Sequence, residues 1–255
     1  MPPAVGTSRG LWDKWPRFLA RTFTDSRGYV LPYRMRMPSA RHALVDPVMR
    51  KAHPRRMPLV LVLHGTKERG DDNSAQLGNG VAELLGSDKA AARFPCFYVV
   101  PQCAEADQWV NVPWGGERHV LPEQPSKPLS AVMELVDELL NHHPIDPQRI
   151  YLIGLSMGGF GVWDLLSRWP DHFAAAVSIC GGADENAVVA ARAVPVWVFH
   201  GDRDQVIRVE RSRRTVDAMR KAEGTVHYNE YSNVEHNSWV KAFAEPDLLP
   251  WLFSN

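Results

Sequence analysis

Short unbroken apolar runs recur along this chain, separated by stretches whose apolar positions repeat every three or four residues. Leu59-Val60-Leu61-Val62-Leu63 has no polar alternation, so it reads as a strand covered on both faces, as in a parallel sheet. Phe97-Tyr98-Val99-Val100 and residues 149–153, 174–179, 194–199 and 226–231 read as further strands. Helical character lies between them, at residues 80–93, 160–166 and 209–223, and in a short closing segment at 247–253. The clearest helix spans 129–142, where Leu129, Val132, Met133, Leu135, Val136, Leu139 and Leu140 fall on one face and Ser126 or Ser130 can cap it. Near the start, residues 21–24 and 29–37 form a predicted hairpin over the turn Asp25-Ser26-Arg27-Gly28. Strands alternating with helices predict an α/β architecture: a mostly parallel central sheet, an N-terminal hairpin and helices on both faces. The simplest division is a single catalytic domain over 21–255 after an N-terminal extension over 1–20. Residues 38–58 read as a solvated loop. Residues 113–128, with four prolines, read as a surface excursion or a wall of an active site.

Gly154-Leu155-Ser156-Met157-Gly158-Gly159 stands between the strand at 149–153 and the helix at 160–166. A serine on a sharp strand-to-helix turn, with glycines two before and two after, is a nucleophile elbow. Bulky neighbours would clash there, and the new helix starts with backbone N–H groups free to face developing negative charge. The plainer alternative is small residues that only close a turn, but the flanking strand and helix favour the elbow.

A serine hydroxyl needs a base, and the base an orienting acid, in the chain order serine, acid, histidine. Downstream of Ser156 lie His172, His200, His227 and His236, and only His236 sits in a polar loop after the last predicted strand. The preceding strand runs into His200-Gly201-Asp202-Arg203-Asp204, which offers two aspartates. Asp204 is preferred, because the chain turns there toward the next helix; Asp202 would then cap the loop backbone. Oxyanion donors are expected from the N–H of Met157 and of Thr66, in the loop His64-Gly65-Thr66 after the central strand. His64 reads as a structural residue beneath that loop. Trp109 and Trp114 either line the substrate site or pack in the interior.

Lysine plus arginine equals aspartate plus glutamate, 29 of each, which argues against nucleic acid or an anionic membrane surface as the main partner. Three cysteines give no disulfide framework, and no ligand set at zinc spacing stands out, so no metal and no cofactor is expected. No run is long enough to be a transmembrane helix, and the first residues lack the plan of a signal peptide. The expected location is the cytoplasm, or outside the cell if a leader has been removed.

His64-Gly65-Thr66-Lys67-Glu68-Arg69-Gly70 with Asp72-Asn73 and Gln76-Leu77, then Pro101-Gln102-Cys103 with Trp109, resembles a bacterial esterase group often labelled "predicted peptidase". So do Ile145-Asp146-Pro147-Gln148-Arg149-Ile150-Tyr151, His200-Gly201-x-x-Asp204-x-Val206 and His236-x-x-Trp239. That group is similar to polyhydroxybutyrate depolymerases and feruloyl esterases. The motifs occur in order from about Phe23 to Phe253. The resemblance implies an α/β-hydrolase fold and a Ser156–Asp204–His236 triad, and it supports Asp204 over Asp202. Two departures stand out: Thr66 replaces the common small residue after Gly65, and the secretion signal or extra N-terminal module of many relatives is not seen. The expected function is a serine carboxylic ester hydrolase working through an acyl-enzyme on a small-molecule or oligomeric ester. The segment between Gly181 and Ala193 is too short for a large lid, which favours short-chain or bulky soluble esters. The alternatives are a serine peptidase or amidase with the same triad, and a non-enzymatic binding protein on a hydrolase scaffold.

Overall fold

The computed structural model describes residues 17–38 and 56–255. Most of the 1–20 extension and of the 38–58 loop therefore lies outside the described residues. Eight strands form one sheet: β1 (Leu19–Thr24), β2 (Val30–Arg36), β3 (Met57–Leu63), β4 (Phe97–Pro101), β5 (Ile145–Leu155), β6 (Ala175–Ile179), β7 (Val196–Gly201) and β8 (Val226–Tyr231). Their spatial order is β1-β2-β4-β3-β5-β6-β7-β8. β1 and β2 pair antiparallel, and β2 lies antiparallel against β4. Every other pairing is parallel.

The hairpin turn follows from its residues. The Asp25 carboxylate accepts from the N–H groups of Arg27 (2.9 Å) and Tyr29 (2.7 Å), and Gly28 takes a left-handed φ of 84°. β3, flanked by β4 and β5, is buried at all seven positions, which is why its sequence shows no polar alternation.

Among the described residues seven α-helices follow in chain order: α1 (Val81–Gly86), α2 (Asp88–Arg93), α3 (Lys127–His142), α4 (Met157–Arg168), α5 (Glu210–Lys221), α6 (Trp239–Ala244) and α7 (Leu248–Leu252). Alternate β3 residues face opposite layers. Leu59, Leu61 and Leu63 pack in one layer with Val132 and Val136 of α3 and Val162 of α4. Val60 and Val62 face the other layer with Val81 and Leu85 of α1, Ala242 of α6 and Leu248 of α7. Ser126 is the cap of α3: its hydroxyl accepts from Leu129 N–H at 3.2 Å and donates to the Trp109 carbonyl at 2.6 Å. Such a cap is worth about 1 kcal/mol.

One detail differs from the sequence pattern. The helical stretch over 80–93 is broken in two, because Ser87 ends α1 and caps α2 by accepting from Ala90 N–H at 3.1 Å. Residues 113–126 carry no helix or strand, and the connection from β6 to β7 holds one 3-10 helix, Ala187–Ala193. The three cysteines are free and buried. No helix among the described residues is long and apolar enough to cross a membrane.

Candidate active site

The turn between β5 and α4 is built around steric limits. A Cβ on Gly154 would stand 2.2 Å from the Gly158 carbonyl oxygen, and one on Gly158 would stand 2.0 Å from the Leu63 carbonyl oxygen. Only glycine fits at either position. Ser156 between them has φ 54°, a backbone state that side chains rarely adopt, held by its N–H donating to Ile179 O at 2.9 Å. The serine is 7% exposed.

The loops that follow β7 and β8 bring their polar groups to this serine. His236 Nε2 lies 2.9 Å from Ser156 Oγ, and its Nδ1 lies 2.7 Å from Asp204 Oδ2. Because Nδ1 faces a carboxylate, it carries the proton, and Nε2 presents its lone pair to the hydroxyl. Asp204 is buried, while Asp202 is exposed. Asp204 Oδ1 accepts from the N–H groups of Val206 (2.8 Å) and Ile207 (2.9 Å). Burial pushes the Asp204 pKa up, but hydrogen bonds from His200, His236 and the Ile207 N–H outweigh it and hold the carboxyl well below its ordinary range.

His200 is the partner that sequence reasoning missed. It is fully buried, with Nε2 3.1 Å from Asp204 Oδ2 and 2.9 Å from the Ile207 carbonyl oxygen. A carbonyl can only accept, so Nε2 carries the proton. Nδ1 meets the Ser212 hydroxyl at 2.7 Å. The available signal was the four-residue spacing of His200 and Asp204 across a tight turn.

The loop after β3 borders Ser156. A Cβ on Gly65 would lie 3.5 Å from Ser156 Cβ. Thr66 opens a 3-10 helix and Met157 opens α4, so the N–H of each lacks an intrahelical acceptor. His64 is buried beneath this loop: Nε2 accepts from Cys103 N–H at 2.9 Å, and Nδ1 donates to Gly65 O at 2.6 Å. Burial pulls its pKa down to about 4. Glu68, also missed from the sequence, places Oε2 3.0 Å from a Gly65 Cβ and accepts from Asn79 Nδ2 at 2.7 Å. Burial raises its pKa.

Trp109 corrects one expectation. It is 0% exposed, and its indole N–H donates to the His64 carbonyl at 3.0 Å, so it packs under the loop and does not line a surface open to substrate. Trp114 is half-buried and packs against the same core. Among the described residues the one cluster of potential metal ligands is Cys180, Asp204 and His236. Asp204 and His236 already bond each other there, and burial keeps the Cys180 thiol protonated by raising its pKa. That donor set fits a relay better than a metal site.

The sequence matches the phospholipase/carboxylesterase family over residues 46–245. A poly(3-hydroxyalkanoate) depolymerase from Paucimonas lemoignei is 32% identical over 130 residues, 51% of this chain and 29% of that protein. A bifunctional acetylxylan esterase/xylanase from Neocallimastix patriciarum is 31% identical over 87 residues, 34% of this chain and 13% of that protein. The matched stretches thus span well under half the length of these relatives. Among solved structures, a thermostable esterase superposes with a TM-score of 0.84 at 37% identity, over 94% of this chain and 63% of that one.

Proposed function

The chain belongs to the phospholipase/carboxylesterase family, and from that premise we propose that it hydrolyses carboxylic esters through an acyl-enzyme on Ser156. The observation that carries this reading is the unbroken relay from Ser156 Oγ to His236 (2.9 Å) and on to Asp204 (2.7 Å). Ser156 Oγ attacks the ester carbonyl while His236 Nε2 takes its proton. Asp204 stabilises the imidazolium and keeps the ring in the productive orientation. The oxyanion is received by the N–H groups of Thr66 and Met157, the free donors of two helix starts beside the nucleophile. His236 then protonates the leaving alcohol, and a water molecule repeats the sequence to release the acid. No step requires a cofactor.

Short acyl chains or bulky soluble alcohols suit a site whose β6–β7 connection offers only the Ala187–Ala193 turn as cover. Trp114 is the aromatic residue assigned to substrate contact. A panel of para-nitrophenyl esters from acetate to palmitate tests this, alongside matched anilides. Acetate and butyrate should be turned over fastest and anilides slowest. Faster hydrolysis of palmitate emulsions, or efficient anilide cleavage with little ester cleavage, would overturn it.

A further inference from the structure

Arg211, in the first turn of α5, is only 2% exposed, yet its Nε and Nη1 have no hydrogen-bond partner among the described residues. Its remaining nitrogen, Nη2, contacts His119 Nδ1. Among the described residues no carboxylate pairs with it. Glu185, whose charge acts on Arg211 through space, is bonded to Arg214 at 3.0 Å, and Asp184 accepts from the Leu121 and Asn186 N–H groups. Arginine stays protonated in proteins, so this is a buried cation with no carboxylate bonded to it. Leaving such a charge unpaired is strongly unfavourable, and replacement by an apolar residue would remove the penalty.

The guanidinium sits beside the nucleophile's helix. Its central carbon lies 5.2 Å from the ring centroid of Phe160, one turn after Ser156. A Cβ on Gly182 would meet Arg211 Nε at 2.9 Å, and a Cβ on Gly159 would meet Gly181 Cα at 3.0 Å. The Gly181-Gly182 loop therefore borders both Arg211 and the first turn of α4. His119 comes from the proline-rich loop before α3, and burial pulls its pKa down to about 4, so it meets the cation as a neutral acceptor.

We propose that Arg211 recognises a carboxylate carried by the ester substrate, with His119 as its displaceable cover; this rests on the esterase reading above. The chemistry of the guanidinium supports it. Each of its two bidentate edges combines Nη2 with one of the unpartnered nitrogens, Nε or Nη1. Moving His119 off Nη2 completes a planar fork that matches the two oxygens of a carboxylate.

Two pairs of esters test this at neutral pH. Mono-ethyl adipate against ethyl adipamate places the charge on the acyl side, and butyryl glycolate against butyryl glycolamide places it on the alcohol side. In the wild-type protein, kcat/KM should favour the carboxylate in at least one pair by about tenfold or more, through KM. Arg211→Met should bring that ratio close to one, and Arg211→Lys should retain only part of it. Should Arg211→Met fail to fold, the wild-type ratio and Arg211→Lys decide. Wild-type ratios near one in both pairs, or a preference that survives loss of the guanidinium, would overturn the proposal while leaving the esterase reading intact. Failure to turn over any of the four esters would count against the esterase reading itself.

Discussion

His200 and His236 converge on one oxygen: Oδ2 of Asp204 lies 3.1 Å from His200 Nε2 and 2.7 Å from His236 Nδ1. The first histidine is sealed in the interior and the second reaches the nucleophile. In the proposed mechanism His200 is therefore a positioning residue, fixing the carboxylate that orients His236. His200→Phe should lower kcat by about ten- to a hundredfold, the worth of a hydrogen bond to a charged group, with KM little changed. Steady-state kinetics on a butyrate ester, with thermal melting to confirm folding, checks this. A melting-temperature loss with full kcat in the folded fraction would reduce His200 to a packing role.

The two aspartates of the loop after β7 should behave differently. Asp204→Asn keeps the shape but loses control of the His236 tautomer, and kcat should fall by about 10⁴-fold. Asp202 is exposed and contributes a backbone N–H to Tyr231 O at 3.1 Å, so Asp202→Asn should stay within a few-fold of wild type. The reverse ranking, with both variants folded, would reassign the acid.

The elbow is legible in the sequence because its steric demands leave a residue pattern: close backbone approach at Gly154 and Gly158 excludes every other side chain. The strands of the central sheet are legible because burial on both faces removes polar alternation. Tertiary burial of polar-looking segments is not. Trp109 stands among Asp107, Gln108 and Asn111, and nothing local shows that its indole is enclosed beneath the His64 loop. Arg211 belongs to a helix rich in charge, where an arginine reads as solvated, yet it faces inward. His200 likewise reads as the end of a strand, because its partner Asp204 is set by the turn geometry that follows.

His64 makes stability depend on pH. Folded, it takes up a proton only near pH 4, against an ordinary value of 6.5. The unfolded chain therefore binds more protons than the folded one once the pH drops below 6.5. Stability from this group is full above that value and is lost as the pH falls toward and through 4, by roughly 3 kcal/mol. His119, with its pKa lowered to about 4 in a partly buried setting, adds a smaller loss of the same sign. Urea unfolding between about pH 7 and about pH 4 should show the decline, and His64→Gln should flatten it. An equal slope in the variant would show that another group is responsible.

All of the proposed chemistry depends on Ser156 forming the covalent intermediate. The most direct measurement is peptide mass spectrometry after reaction with a fluorophosphonate, comparing the wild-type protein with Ser156→Ala. One adduct is expected, on the peptide containing Ser156, with complete loss of ester turnover as it forms and no labelling of a folded Ser156→Ala protein. An adduct on another serine, or turnover that persists in the fully labelled protein, would contradict the acyl-enzyme assignment.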